Sequence, residues 1–207
     1  NSGEIRCFGD TYFEVKDEFI LENNSSIHLN RSRIVTPSYD ILHIYGTLEI
    51  DSLMYWKVFS QDKFCDKLKI HESSKLILKN FEFLFKLIIN NGTFEIHDSK
   101  IKIDGPFIAG SESITSFYGN FEFIVALPDQ HGKITSDGNL DIIYGSLPSY
   151  LGNIEAKGDI NITVPKNIKA INFTTNLIKI MGNDIKCSKL STFLPVNYIY
   201  YYFKSST

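Results

Sequence analysis

The chain has 207 residues, a formal net charge of −3 and a pI near 6.0. This charge balance excludes the strongly basic surface that nucleic-acid binding requires, and no run of about 18 apolar residues is present that would predict a transmembrane helix. Aromatic residues make up 14% of the chain, isoleucine is its most frequent residue, and only four alanines occur. This composition favours strands over helices.

The first 22 residues alternate with period 2. Charged residues take most of the even positions, and apolar or small residues take the odd ones, broken by Asp17: Ile5, Cys7, Gly9, Thr11, Phe13, Val15, Phe19 and Leu21. Such alternation predicts strand with one buried face. A single strand of this length would span about 50 Å, more than a usual strand. The segment is therefore either the start of an ordinary sheet, bent at Gly9-Asp10, or a strand donated to a neighbouring subunit.

Short strands are predicted along the rest of the chain, and no amphipathic helix of ten residues is found. The main predicted strands cover residues 41–45, 47–50, 55–59, 68–71, 76–79, 81–89, 93–97, 101–103, 114–118, 121–126, 140–144, 159–164, 170–174, 177–181 and 196–203. Turn sequences such as Asn91-Gly92 and Asp137-Gly138 separate them. Many short strands at this spacing predict an all-β fold, with a β-sandwich as the first choice.

A weak internal repeat supports an alternative, the parallel β-solenoid. The pentad from Gly46 to Ile50 recurs from Gly92 to Ile96, and related pentads begin at Gly119, Gly138 and Gly158. Half of the 46-residue step is 23 residues, which suits one turn of a solenoid. Two features argue against it: no glycine marks a turn near residue 69, and residues 76–89 contain no glycine or proline.

The sequence contains no recognisable catalytic or metal-binding motif. The five histidines are scattered, and none has metal-ligand spacing to another histidine or to a cysteine. Glu95 and His97 share one strand face, but any strand with a polar outer face offers such a pair. We therefore predict no enzyme activity, no cofactor and no metal site.

Glycosylation motifs and cysteines bear on the compartment. Asn-x-Ser/Thr motifs exceed the number expected by chance, and the candidate glycosylation sites are Asn24, Asn30, Asn91, Asn161 and Asn172. The chain begins at Asn1, as a processed secreted protein would, and equally as a trimmed chain would. We therefore expect an extracellular location. Three cysteines are consistent with one disulfide and a free thiol, or with three reduced thiols.

Together, the alternating N-terminal segment, the glycosylation motifs and the all-β body resemble the archaeal thread-type pilins. The resemblance implies residues 1–22 as a donor-strand tail and residues 23–207 as a pilin-like, Ig-like β-sandwich body. It also implies a glycosylated, extracellular cell-surface filament of identical subunits, assembled head to tail. The inward residues of the donor strand would be Ile5, Cys7, Gly9, Phe13, Val15, Phe19 and Leu21.

If the tail leaves its own body, Cys7 is poorly placed to meet a cysteine of the same chain. We then expect a disulfide between Cys65 and Cys187, with Cys7 as an inward donor-strand residue. The rival hypothesis is a cell-surface β-solenoid or lectin-like protein that binds or cleaves polysaccharide, with no role for the tail in assembly.

Overall fold

The computed structural model describes residues 3–9, 11–14, 21–36, 41–52, 55–58, 67–146, 153–163, 172–181, 189–191 and 199–202. Every secondary-structure element in these ranges is a strand. In chain order the strands are β1 (Glu4–Cys7), β2 (Tyr12–Glu14), β3 (Ser26–Asn30), β4 (Arg33–Thr36), β5 (Leu42–Ile44), β6 (Thr47–Asp51), β7 (Tyr55–Val58), β8 (Lys67–Ile70), β9 (Lys75–Lys79), β10 (Glu82–Phe85), β11 (Leu87–Asn90), β12 (Thr93–His97), β13 (Lys100–Ala109), β14 (Ile114–Tyr118), β15 (Glu122–Gln130), β16 (Lys133–Ser136), β17 (Leu140–Tyr144), β18 (Asn153–Thr163), β19 (Asn172–Met181), β20 (Lys189–Ser191) and β21 (Ile199–Tyr202).

All described strand pairs are parallel, and each strand pairs with its counterpart one turn later. The first side of the resulting coil runs through β1, β3, β6, β9, β12, β14 and β16, then through parts of β18 and β19 to β20. The second side holds β2, β4 and β7 as one sheet, and β10, β17, β21 and parts of β13, β15, β18 and β19. The third side holds β5, β8, β11 and the ends of β13 and β15, with Leu21 bridged to Ile44.

The fold is therefore a parallel β-solenoid, and the predicted β-sandwich is wrong. Six successive turns have described residues on all three sides: 4–21, 26–44, 47–70, 75–90, 93–109 and 114–130. We number them turns 1 to 6. The paired residues at the start of the first side are 17 to 28 positions apart, from Asn172↔Lys189 to Thr47↔Lys75.

The period-2 alternation of apolar and polar residues did not distinguish the two folds, because solenoid strands and sandwich strands both show it. An antiparallel sheet with one wet face alternates apolar and polar residues, and each side of the solenoid also has one wet face. In β6, for example, Leu48 and Ile50 are buried, whereas the three residues that alternate with them are half-buried. The inward residues of successive turns form one continuous core, with Leu76, Phe94 and Ile134 among its members.

The corner between the first and second sides needs a left-handed residue in each of turns 2 to 6. These residues have φ between +44° and +68° and are Arg31, Ser52, Asn80, Asp98 and Gly119. Their backbones continue the ladder, as when the Asn80 N–H donates to His97 O at 3.0 Å. Only one of the five is glycine. Residues 76–89 thus turn a corner at Asn80 without glycine, which removes the second argument against a solenoid.

The corner between the third and first sides alternates in length. Four-residue corners at 22–25, 71–74 and 110–113 each close with an N–H···O bond from a serine, Ser25, Ser74 or Ser113, to the residue three positions earlier. Two-residue corners at 45–46, 91–92 and 131–132 end in Gly46, Gly92 and Gly132. The two kinds alternate from turn to turn, so the structural repeat is two turns long. This explains both the 46-residue step between pentads and the missing glycine near residue 69.

Each glycine of a two-residue corner lies directly against the preceding four-residue corner. A Cβ added at Gly92 would overlap the backbone oxygens of His71 and Ser74, and one added at Gly46 would overlap those of Glu22 and Ser25. Since both partners are backbone atoms held in the ladder, they have little room to move.

We predict that Gly92→Ala destabilises the protein by about 3 kcal/mol, because the methyl group would push adjacent turns apart. Gly138→Ala is the matched control, since a Cβ there meets nothing within 4 Å. It should change stability by less than about 1 kcal/mol. Urea unfolding followed by circular dichroism measures both. Equal effects of the two substitutions would contradict the close contact.

Candidate functional site

The outward side chains of the first side form a polar face. Because the strands are in register, equivalent side chains of successive turns line up in columns. Within a column, neighbouring residues are about 4.8 Å apart. One column runs through Arg6, His28, Glu49 and Ile77 to Glu95. Polar and charged side chains make up most of this face, and salt bridges such as Lys75–Glu95 at 2.8 Å join neighbouring turns.

A cleft opens on the polar face in turns 1 to 3. It has a volume of about 250 Å³ and combines an exposed aromatic ring with charged and amide side chains; its lining is Arg6, Phe8, His28, Leu29, Asn30, Glu49 and Asp51. Phe8 follows β1 and is 67% exposed. We call this site the Phe8 cleft.

Glu49 is held from two sides. Lys79 Nζ donates to Glu49 Oε1 at 2.6 Å, and His28 Nδ1 lies 2.7 Å from Glu49 Oε2. The other ring nitrogen of His28, Nε2, lies 3.3 Å from the carboxylate of Glu4. His28 thus links the carboxylates of turns 1 and 3 and fixes their positions relative to each other.

Asp51 is held by three donors. Asn30 Nδ2 donates to Asp51 Oδ2 at 3.1 Å, and Asn80 Nδ2 and Ser52 Oγ each donate to Asp51 Oδ1 at 2.8 Å. These donors come from turns 2, 3 and 4. Both carboxylates of the cleft are therefore oriented before any ligand arrives.

The electrostatics of the cleft keep the carboxylate of Glu49 ionised. Partial burial alone would raise the pKa of Glu49, but hydrogen bonds from Lys79 and His28 outweigh it, and its pKa lies below the ordinary value. Glu4 does not line the cleft but neighbours His28, and the hydrogen bond from Arg6 likewise lowers its pKa. Glu49 is therefore a charged acceptor in the cleft at neutral pH.

Two other constellations lie elsewhere on the surface. On the third side, His43 Nδ1 and His71 Nε2 are 2.8 Å apart, and Tyr45 stacks on His71 with ring centroids separated by 3.8 Å. Burial, followed by Lys69 and His43, lowers the pKa of His71. On the first side, His97 Nε2 lies 3.6 Å from Glu95 and its ring stacks on Tyr118. No three His, Cys, Asp or Glu side chains of the described ranges are arranged to hold a metal ion.

Of the residues predicted for a donor strand, those that the structure describes lie in turn 1 of the solenoid. Ile5 and Cys7 are in β1, which pairs with β3; Phe13 is in β2, which pairs with β4; Leu21 is buried beside Ile44. Gly9 has a φ of +75°, and Val15 and Phe19 lie outside the described residues. The boundary expected after residue 22 falls within the first four-residue corner.

The other predicted site residues are dispersed. Asn24 is exposed at a corner, Asn91 is half-buried, and Asn30 lies in the Phe8 cleft. For Asn161 and Asn172 the structure describes only the backbone, in β18 and β19. Glycosylation at these positions stays a prediction. Cys7 is a half-buried free thiol, whereas Cys65 and Cys187 lie outside the described residues.

Sequence reasoning missed the Phe8 cleft. Its side chains come from three turns, with Arg6 opposite His28 and His28 opposite Glu49. Arg6 and His28 are 22 residues apart, and His28 and Glu49 are 21 residues apart. These spacings match one turn of a solenoid, so they would have pointed to the column only if a solenoid register had been assumed.

Comparison of the chain with protein-family models, with curated proteins and with solved structures finds no match. The described residues contain no helix that is long and apolar enough to cross a membrane. The fold and the site define a three-sided parallel β-solenoid with a preorganised polar cleft at its N-terminal end.

We predict that Glu49→Gln lowers the free energy of unfolding by about 1 kcal/mol at pH 7. Because the folded pKa of Glu49 is depressed, its stabilisation is present above the ordinary carboxyl pKa and is lost as pH falls through the folded pKa. The difference between wild type and variant should therefore shrink in acid. Denaturant unfolding across this pH range tests it, with the exposed corner residue Glu112 changed to Gln as control. A difference that is independent of pH would contradict the argument.

Proposed function

We propose that this protein binds a neutral polysaccharide through the Phe8 cleft and the adjoining polar face. The observation that supports this most is the exposed ring of Phe8 beside side chains that are already fixed by hydrogen bonds, Asn30, Glu49 and Asp51. Sugars present an apolar C–H face and a rim of hydroxyl groups, and this combination of aromatic and polar groups is complementary to both.

The preorganisation of the cleft lowers the cost of binding. Ordering a mobile side chain on binding costs about 0.5–1.5 kcal/mol. Here the carboxylates of Glu49 and Asp51 are ordered by Lys79, His28 and Asn80 within the protein. Their remaining lone pairs are available to accept hydrogen bonds from hydroxyl groups.

The shape of the face favours a polymer over a single sugar. Stacked turns create extended surfaces with a regular repeat, as in other solenoids. The polar face continues beyond the cleft, where Thr135 Oγ1 donates to Ser116 Oγ at 2.8 Å and Lys133 pairs with Glu155 at 2.7 Å. Where the structure describes the side chains of this face, its cations are paired with carboxylates, which favours a neutral ligand over a polyanion.

The charge states in the cleft favour binding over cleavage. Glycoside hydrolysis needs a carboxylic acid that stays protonated through a raised pKa. The pKa of Glu49 in the cleft is lowered instead, as is that of the neighbouring Glu4 outside the cleft lining. Glu49 thus acts as an acceptor for hydroxyl groups rather than as an acid for bond cleavage.

This proposal takes up the rival hypothesis from the sequence rather than the pilin one. The strands β1 and β2 already pair within their own chain, so the fold does not favour their donation to a neighbour. An extracellular, glycosylated filament subunit stays a prediction, as does the extracellular location. A cell-surface location would suit a polysaccharide-binding protein equally well.

We predict that Phe8→Ala weakens binding to a neutral polysaccharide about tenfold, because the stacking surface is lost. Tyr12→Ala is the matched control, since Tyr12 is also an exposed aromatic residue of turn 1 but does not line the cleft. Affinity electrophoresis in gels containing glucan, mannan, xylan or the acidic polymer pectate measures binding. No retardation by any neutral polymer, equal losses in both variants, or preference for pectate would contradict the proposal.

A further inference from the structure

Two half-buried histidines meet on the third side of the solenoid, away from the Phe8 cleft. His43 lies in β5, and His71 begins the four-residue corner at 71–74. His43 Nδ1 and His71 Nε2 are 2.8 Å apart, and the two ring centroids are 5.1 Å apart. The centroid distance matches the nitrogen distance plus one ring radius on either side, so both nitrogens lie on the line between the rings. This is the geometry of a hydrogen bond from one ring nitrogen to the other.

The hydrogen bond limits how many protons the pair can hold. One of the two ring nitrogens must carry an N–H and the other must offer a lone pair, because an imidazolium ring has two donors and no acceptor. A pair with a single positive charge keeps the bond, since its neutral ring still offers a lone pair. When both rings are protonated, two N–H groups and two positive charges face each other, and the bond is lost.

The pair joins turn 2 to the corner that follows turn 3. The backbone N–H of His71 donates to Ile44 O at 3.0 Å, and the Tyr45 ring stacks on the His71 ring with centroids 3.8 Å apart. The hydrogen bond with His43 adds a side-chain link across the same two turns. The His71 side chain is therefore held from two directions by residues of turn 2.

The charged groups around the pair disfavour a second positive charge. Lys69 is paired with His43 in the strand register, and burial, followed by Lys69 and His43, lowers the pKa of His71. Glu72 acts in the opposite direction, but its influence is the smallest of these and it is exposed. Tyr45 adds no charge.

The described parts of the adjoining turns add little charge. Towards turn 1, the corner at 22–25 carries one charged residue, Glu22, which is exposed. Towards turn 4, Ile89 is paired with Lys69, and the corner at 91–92 is uncharged. These neighbours offer no buried carboxylate that would stabilise a doubly protonated pair.

We propose that the His43–His71 pair is an acid-sensitive clamp on the corner at 71–74. It holds the corner against turn 2 while at least one ring is neutral and releases it when both rings are protonated. Because the folded pKa of His71 is depressed, the stabilisation is fully present above the ordinary histidine pKa and is lost as pH falls below it through the folded pKa. The clamp lies outside the proposed binding site and does not depend on it.

A variant that keeps the hydrogen bond but removes one titrating ring tests the clamp. His71→Gln places an amide at the Nε2 position, which can face His43 with its N–H or with its oxygen. Between about pH 8 and about pH 5, the unfolding equilibrium constant of the wild type should rise about fivefold more than that of the variant, the contribution of one hydrogen bond. Urea unfolding at both pH values, followed by circular dichroism, measures this. An equal rise in both proteins would overturn the proposal.

His97→Gln is the matched control. His97 is also half-buried and stacks on a tyrosine, Tyr118, but Glu95 rather than a second histidine adjoins its ring nitrogen. This substitution should leave the acid-induced rise at least as large as in the wild type. If His97→Gln reduced the rise as much as His71→Gln, the assignment to the His43–His71 pair would be wrong.

Amide hydrogen exchange tests the location of the clamp in the wild type itself. The Lys75 N–H donates to Gly46 O across the clamped corner, and the Ile114 N–H makes the equivalent bond to Gly92 O across the corner at 110–113, which contains no histidine. Protection factors correct for the intrinsic pH dependence of exchange and report local opening. From about pH 8 to about pH 5, the protection factor of Lys75 should fall about fivefold relative to that of Ile114. Equal changes at the two amides would overturn the proposal.

Discussion

The contact between a corner glycine and the backbone of the preceding turn sets the register on which the rest of this molecule depends. Gly46, Gly92 and Gly132 each lie against the two oxygens that begin and end a four-residue corner. The residue after each glycine then donates to the oxygen of the corner serine, as from Thr93 N to Ser74 O at 2.9 Å. Close approach and hydrogen bond together fix every second turn of the described coil against the turn before it.

The register decides which side chains meet on the surface. A shift of one residue would exchange the inner and outer faces of a strand, and a shift of two would separate partners such as His28 and Glu49. In the observed register, cations and carboxylates of adjacent turns face each other, and Asp51 receives donors from the turns on both sides. The Phe8 cleft is thus a product of stacking, since no single turn contains it.

The sequence predicted the all-β character and most strand positions, but it did not predict how the strands pair. Period-2 alternation indicates that one face of a strand is exposed to solvent. It is the same in an antiparallel sheet and in the parallel sheets of a solenoid when one face of the sheet is exposed. The sequence also did not predict the corners, because residues such as Asn80 adopt the left-handed conformation there although they are not glycine. The pentad at Gly46 and Gly92 was a true signal, and its 46-residue step does correspond to two turns. The cleft residues carry no shared motif, so their convergence was visible only once the register was known.

The most direct test of ligand binding at the Phe8 cleft is hydroxyl-radical footprinting of the protein with and without a neutral polysaccharide that it binds. Binding at the cleft should protect Phe8 and His28 from oxidation in the complex. Leu127, an exposed residue of the third side, should react at the same rate in both samples. Protection of Leu127 with Phe8 unchanged would place the ligand on another side of the solenoid and would contradict the assignment of the site.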